Sequence, residues 1–502
     1  MLWFGIYDAP TEINERDFPT AENTGYGDWN FNVSRAEYRA QIARIKDYIA
    51  AGDTYQVNHT VRLKNESFQP DTAWPFFLNT FLPLDSEFSA YIETDAFAIA
   101  SGSPELFFEQ DGPKLTCRPM KGTIRRGAYS LVDNREHNLL GQSQKDRAEN
   151  VMIVDMIRND LGRIAQPGTV HTTRLFDLEK YATVWQMTST VTAETETGIT
   201  DIFKALFPCA SITGAPKVRT MELIRELEQS PRGIYTGCIG YIAPNRQARF
   251  NVAIRTLAID KNRGTAEYGT GGGIVWDSEA DLEFAECEAK ALTLTESRPR
   301  FQLLETLLFE PSKGIFLLEK HLERLEQAAN YFNFKCDLPA VEKELADFRC
   351  DKFARLRLLV SRDGQFELQH VPLGKEKPAI EHPWKLKIAA SSVDTRNPFL
   401  YHKTTHRTVY KKAKAGCEEA DDVVLFNENG EVTETTIANI VIEKRGQKFT
   451  PPISCGLLNG TFRQHLLETG RITEKAITVD DLKNADQIWL INSVRGWVPA
   501  GL

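Results

Sequence analysis

Apolar residues recur at helical spacing along residues 34–50, where Ile42, Ile45 and Ile49 share a face, and this predicts an amphipathic helix. Ser34 can cap its start, Glu37 completes a capping box, and Gly52 ends it. A second stripe of Val154, Ile157, Leu161 and Ile164 predicts a helix over 143–165. Residues 88–100 and 236–243 alternate instead and read as strands. From 266 to 296 the chain passes through Gly271-Gly272-Gly273 into an acidic helix. The polar stretch 296–301, with its proline, then marks a domain boundary. Beyond Leu303 a new pattern begins, with strand-like pieces, a helix near 319–332 and a Gly/Pro/Cys loop at 451–460. There is no internal repeat, so the halves 1–296 and 297–502 read as unrelated modules of mixed α/β (α+β) character.

The chain has 502 residues, 42% of them apolar, which suits more than one domain and two substantial cores. A net charge of −9 argues against nucleic-acid binding, which wants a basic excess. Eight cysteines without Cys-x-x-Cys spacing indicate neither a zinc site nor a disulfide framework, and reduced cytoplasmic thiols are the simplest reading. The apolar start from Met1 to Tyr7 is too short for a signal sequence, and no apolar stretch is long enough to span a bilayer.

Against that background a few polar residues stand out. Lys121, in Cys117-Arg118-Pro119-Met120-Lys121-Gly122-Thr123, reads alone as a surface cation. Nearby lie the Ser103-Pro104-Glu105 turn, two carboxylate pairs and the loop Ser211-Ile212-Thr213-Gly214-Ala215-Pro216-Lys217. Asp146 and Glu149, like Glu283 and Glu286, are three residues apart and project from one helical face. Two such helices facing each other would form an oxygen-rich cage suited to Mg²⁺; taken singly, each pair also reads as solvated helix surface. The 211–217 loop precedes a helix near Val218 whose free N–H groups favour an anion. Arg255, the triple glycine and Lys290, one turn beyond Glu286, complete a pocket for a small, multiply carboxylated molecule.

These segments resemble the chorismate-utilising enzymes, specifically the large component of aminodeoxychorismate synthase, over about residues 30–296. The carrying motifs are GDTYQVN at 52–58, SPE at 103–105, RPMKGT at 118–123, DRAENVMIVDMIRNDLGR at 146–163, FPCASITGAPK at 207–217, AIRT at 253–256 and GGGIVWDSEADLEFAECEAKA at 271–291. The resemblance implies an α/β fold with large antiparallel sheets around a deep site. Water-adding relatives carry a lysine where this chain has Gln56, so the glutamine resembles the amine-adding branch. Anthranilate synthases carry a small residue where this chain has Lys121. The resemblance implies that Lys121 attacks ring carbon 2 of chorismate as the 4-hydroxyl leaves, and that ammonia adds at carbon 4 and expels the lysine. Glu105 matches the general acid for hydroxyl departure. Mg²⁺ would be clamped by Glu149 and Glu286, with Asp146 and Glu283 in its outer shell. Ser211, Tyr235, Arg255, Gly272, Gly273 and Lys290 match substrate contacts. Trp185-Gln186 departs from the His-His of many relatives, which also carry a longer N-terminal portion.

In the second half, Lys403 in Tyr401-His402-Lys403-Thr404 reads alone as a surface lysine. Glu434 could partner a protonated pyridine nitrogen, Arg324 could fork onto a phosphate, and the 458–463 loop around Thr461 opens a helix that could cradle it. In this order these features resemble the class IV fold of enzymes dependent on pyridoxal 5'-phosphate (PLP), over about residues 302–502. The resemblance makes Lys403 the lysine that carries PLP, Glu434 the partner of its ring nitrogen, and Arg324 and Thr461 its phosphate contacts. It covers aminodeoxychorismate lyases, branched-chain aminotransferases and D-amino-acid aminotransferases.

The fusion favours a lyase, which would release pyruvate from aminodeoxychorismate and leave 4-aminobenzoate for folate. An unrelated aminotransferase half, an anthranilate synthase-type first half, and a binding or regulatory protein are the alternatives. With no glutaminase triad in the sequence, ammonia is expected from a separate amidotransferase subunit. Oligomeric state stays open, although class IV folds are commonly dimers.

Overall fold

The computed structural model describes residues 3–13, 18, 27–295, 299–376, 382–415, 417 and 419–502. The boundary expected at 296/297 falls outside them. The chain divides into two compact units: Met1–Arg125 with His137–Arg298, and Arg126–Glu136 with Pro299–Leu502.

In the first unit the helix Arg35–Ala50 starts at the expected box: the Glu37 N–H donates to Ser34 Oγ, and Glu37 takes the Ser34 N–H at 2.7 Å. Such a cap contributes about 1 kcal/mol. Gly52 follows at φ +80°, the left-handed turn that glycine makes without a Cβ penalty. The helix buries Tyr38, Ile42 and Ile45 against Val57, Val61 and Ile274 of the sheet beneath, together with Leu223 and Phe284 of neighbouring helices. Each such side chain contributes about 1.5–3 kcal/mol of burial.

Among the described residues this unit has two seven-stranded antiparallel sheets. One runs Asn30–Phe31, Gln56–Asn65, Thr265–Ile274, Thr256–Asp260, Phe97–Ser103, Phe88–Glu93, with Gly214–Ala215 added on Gln56–Asn65. The other runs Cys238–Ala243, Gln247–Val252, Leu106–Asp111, Lys114–Arg118, Val184–Glu194, Met120–Arg125, with His171–Lys180 against Val184–Glu194. The segment 88–100, expected as one strand, is two strands joined by a tight turn in which Thr94 Oγ1 accepts from the Ala96 and Phe97 N–H groups. The second predicted helix spans Gln144–Gly162, and its buried stripe Ile153, Val154, Ile157 and Leu161 packs on Phe108, Leu115 and Val191 of the second sheet. The triple glycine lies within the strand Thr265–Ile274.

The second unit pairs a four-stranded antiparallel sheet with an eight-stranded mixed sheet. In the larger one the register pair Glu434↔Asn439 joins Val432–Thr435 to Asn439–Lys444, which closes six strands into a ring. The helix Leu318–Phe332 packs Leu322, Leu325 and Ala328 against Leu303, Leu307 and Leu356 of the smaller sheet. No helix among the described residues is long and apolar enough to cross a membrane.

Candidate active sites

Lys121 sits on Met120–Arg125, and its backbone is pinned from two sides. Buried Asn150 donates to the Lys121 carbonyl at 3.3 Å and accepts from Ser189 Oγ at 2.6 Å. Gln186 donates to the Gly122 carbonyl at 2.9 Å and accepts from Thr123 Oγ1 at 2.8 Å. Gln186 thus braces the lysine strand. Gly122 has φ +96°, and a Cβ there would stand 2.9 Å from the Asp146 side chain. Only glycine lets strand and helix approach this closely.

The Lys121 amine, half-buried, meets Gln56 over Gly273. A Cβ on that glycine would lie 2.9 Å from Lys121 Nζ and 2.1 Å from Gln56 Nε2. Gln56 is buried and its Oε1 has no partner in the protein, so a ligand donor can satisfy it. Glu105, also buried, accepts from Ser211 Oγ at 2.6 Å. Burial pushes its carboxyl up to about 7, against the opposing pull of Ser211 and the Lys121 ammonium. Burial also lowers Lys121, with Lys290 adding to the effect and Glu149, Glu105 and Glu286 opposing it. A carboxyl that keeps its proton near neutrality beside a weakened ammonium is the pairing that acid and nucleophile roles need.

The four carboxylates do not form the cage expected from their spacing. Among the described residues no three His, Cys, Asp or Glu side chains stand together as a metal site. The first member of each pair lies in the opening turn of its helix and is held there. Ser143 Oγ donates to Asp146, and Ser278 hydrogen-bonds Glu283. These bonds hold Asp146 and Glu283 at the starts of their own helices. Glu286 is paired with Lys290 at 2.7 Å, and Lys290 also donates to the Gly271 carbonyl at 2.7 Å. Burial raises Glu149, while Lys121 pulls it down and Asp146 and Glu286 push it further up. Two carboxylates completed by an anionic substrate remain a fitting Mg²⁺ arrangement, because that ion keeps few protein ligands.

Of the other expected contacts, Gly272 faces Glu283, whose Oε2 would be 3.1 Å from a Cβ there. Tyr235 lies over Gly269 with the Arg62 guanidinium 5.1 Å from its ring, and lines a cavity of about 480 Å³ with Ile212, Met221 and Arg232. Arg255, at φ +48°, accepts through its carbonyl from the Gly102 N–H at 3.0 Å. Lys217, in the loop expected to bind an anion, is instead paired with Asp160.

The second unit holds a cavity of about 470 Å³ lined by Lys403, Glu434, Thr461, Arg324, Arg407 and Tyr410, among others. Burial lowers Lys403 to about 8; Arg324 and Arg407 push the same way, and Glu305 and Glu434 oppose. Glu434 accepts from Tyr410 Oη at 2.7 Å and Asn439 Nδ2 at 3.1 Å, yet burial still raises it to about 7. Thr461 opens the helix Thr461–Glu468, and its hydroxyl is 3.2 Å from His321 Nε2. A Cβ on Gly460 would collide with Asn439 Oδ1 at 2.1 Å, so the turn into that helix is shaped for glycine.

The fork of Arg324 is not free for a phosphate as expected. Its Nε and Nη2 grip Glu305 at 2.9 and 2.6 Å, which leaves the Nη1 edge, 3.4 Å from the Asn459 carbonyl, on the loop side. Glu305 also meets His321 Nδ1 at 2.7 Å. Sequence reading missed Glu305, His321, Tyr410 and Arg407. The trace of Glu305 was there: one carboxylate inside the apolar strand Leu303–Glu310. The amine, the buried acceptor and the glycine-shaped helix entry fit PLP.

The chorismate binding enzyme profile matches residues 7–296, more than half of the sequence. The chain belongs to the chorismate binding enzyme family. Residues 302–501 match the amino-transferase class IV family, so a chorismate-binding module is joined to a class IV module, and the latter implies PLP. The chorismate-binding part is 42% identical over 256 residues to aminodeoxychorismate synthase component 1 of Bacillus subtilis (strain 168), covering 50% of this chain and 53% of that one. It is 38% identical over 270 residues to the protein of the same name from Escherichia coli (strain K12), covering 53% of this chain and 59% of that one. The chain thus spans somewhat more than half the length of these relatives. Its chorismate-binding module also resembles the crystal structure of anthranilate synthase component I from Streptococcus pneumoniae TIGR4. That match has TM-score 0.51 and 28% identity, and covers 56% of this chain and 62% of that one.

Proposed function

We propose that this chain converts chorismate to 4-aminobenzoate in two steps, one on each module. The observation that carries the reading is the convergence of Lys121, Gln56 and Gly273, with protonated Glu105 held by Ser211 close enough to act on Lys121. Lys121 Nζ bonds to ring carbon 2, the ring double bond shifts, and the 4-hydroxyl leaves as water with the Glu105 proton. Ammonia then adds at carbon 4 as the bond to Lys121 breaks, which gives 4-amino-4-deoxychorismate. Ammonia would come from a partner glutamine amidotransferase. Glu149 and Glu286 would hold Mg²⁺, which neutralises the substrate carboxylate, with Asp146 and Glu283 farther out. Ser211, Tyr235, Arg255, Gly272 and Lys290 would line the substrate.

The class IV module would then release pyruvate. Bound PLP supplies an electron sink for that elimination. Lys403 would hold the cofactor and afterwards move the ring proton through its Nζ, a task suited to an amine near 8. Glu434 would keep the cofactor's ring nitrogen protonated, and the Nη1 edge of Arg324 and Thr461 would face its phosphate.

The test supplies chorismate, Mg²⁺, ammonium and PLP to the purified chain. Equal amounts of 4-aminobenzoate and pyruvate are expected. Anthranilate instead would overturn the role of Lys121, and aminodeoxychorismate without pyruvate would turn the second module into an aminotransferase.

A further inference from the structure

Residues Arg126–Glu136 lie inside the stretch that matches the chorismate binding family, yet they pack within the second compact unit. Their side chains are built in. Arg126 and Asp133 are buried, and Asp133 accepts from Arg126 Nε at 3.0 Å and from the Gly127 N–H at 3.1 Å. Arg126 Nη1 donates to the Tyr331 carbonyl at 2.7 Å, and its guanidinium lies 4.0 Å from the Tyr331 ring centroid. Tyr331 Oη donates back to the Gly127 carbonyl at 2.8 Å. The Tyr331 ring then stacks on His402 at 4.2 Å, and Tyr129 stacks on Tyr401 at 4.6 Å. Tyr401 and His402 are the two residues that precede Lys403. Ala128 and Tyr129 also pack on the cluster containing Tyr410, the residue that donates to Glu434.

We propose that the segment 126–133 is a positioning strap for the class IV site: the buried Arg126–Asp133 pair clamps Tyr331 and His402, and so sets where Lys403 presents its amine. The class IV site is incomplete without residues borrowed from the chorismate-binding sequence. The strap works through position rather than charge on the amine. The charged groups acting on Lys403 are Arg324, Glu305, Arg407 and Glu434, whereas Arg126 and Asp133 act on His402.

This inference rests on the proposed role of Lys403, and the test separates the two. In the full chain, Tyr331→Phe keeps the aromatic ring and removes the hydroxyl that donates to Gly127. Asp133→Asn removes the charge that holds Arg126. PLP affinity is read by fluorescence, and the pH midpoint of Lys403 is read without cofactor from its rate of modification by an amine-directed reagent. Tyr331→Phe is expected to weaken PLP binding about 2- to 10-fold, the worth of one hydrogen bond, and Asp133→Asn more than about 10-fold. Both should move the Lys403 midpoint, while chorismate consumption keeps its parental rate. Arg126→Lys should recover part of the loss. Parental PLP affinity and an unmoved midpoint in folded variants would overturn the strap. If Asp133→Asn does not fold, Tyr331→Phe decides. A parent chain that binds PLP no better than Lys403→Ala would instead sink the role of Lys403, and the cofactor-free midpoint would still judge the strap.

Discussion

Two lysines carry the proposed chemistry, and their surroundings differ in kind. Burial weakens both ammonium groups. Around Lys121 three carboxylates, Glu149, Glu105 and Glu286, work against that effect. Around Lys403 two arginines, Arg324 and Arg407, reinforce it against Glu305 and Glu434, whereas at Lys121 it is Lys290 that pushes this way. A site that must gather an anionic ring and a metal needs carboxylates nearby, and these oppose the loss of charge that burial imposes on its lysine. A site that must hold a phosphorylated cofactor needs cations, and these add to the burial that makes its lysine easier to deprotonate. The same side chain is thus tuned to two tasks by the charge of its neighbours.

The largest effects should come from exchanging each lysine for alanine. Lys121→Ala should lose aminodeoxychorismate formation, and Lys403→Ala pyruvate release, each by about 10⁴-fold or more, the scale seen when a catalytic nucleophile is removed. Each should spare the other step, measured by giving Lys121→Ala chains aminodeoxychorismate directly. Next comes Glu105→Gln, which should slow the first step about 10²–10⁴-fold. Glu105 acts while protonated, so the parent rate should fall as pH rises through about 7, and the variant should lack that limb in a pH profile of kcat/KM.

A smaller effect sharpens the contrast at the second site. Tyr410→Phe removes a hydrogen bond to Glu434 worth about 1.5–3 kcal/mol. That bond lowers the Glu434 value, so its loss should raise it and move the acid limb of pyruvate release to higher pH. The smallest effect concerns stability. Burial raises Glu305, but Arg324 and His321 overcome it and hold the carboxyl at about 2. A lowered value means stability that is present above the ordinary 4.5 and is lost as pH falls toward about 2. Denaturant midpoints of the class IV module should drop across that window, and Glu305→Gln should flatten the drop.

Local features were legible in the chain. The Ser34–Glu37 box, the 154–161 stripe and the helix opening at Thr461 depend on neighbours a few residues away, and the structure has them. The i, i+3 spacing shows the face that each acidic pair shares, but not that Ser143 and Ser278 hydrogen-bond Asp146 and Glu283. The grip of Glu305 on Arg324 joins a strand to a helix, so a free fork was the natural reading of the helix alone. The strap at 126–133 was beyond reach, because Tyr331 and His402 lie two hundred residues or more along the chain. Pairings of that kind follow from tertiary packing, which residue spacing does not encode.

The central claim is that two lysines on two modules serve consecutive steps. Its most direct test mixes Lys121→Ala and Lys403→Ala chains with chorismate, Mg²⁺, ammonium and PLP, and follows 4-aminobenzoate. Neither variant alone should form it, and the mixture should, as aminodeoxychorismate released by one chain is consumed by the other. Formation of 4-aminobenzoate from chorismate by either variant alone would contradict the account.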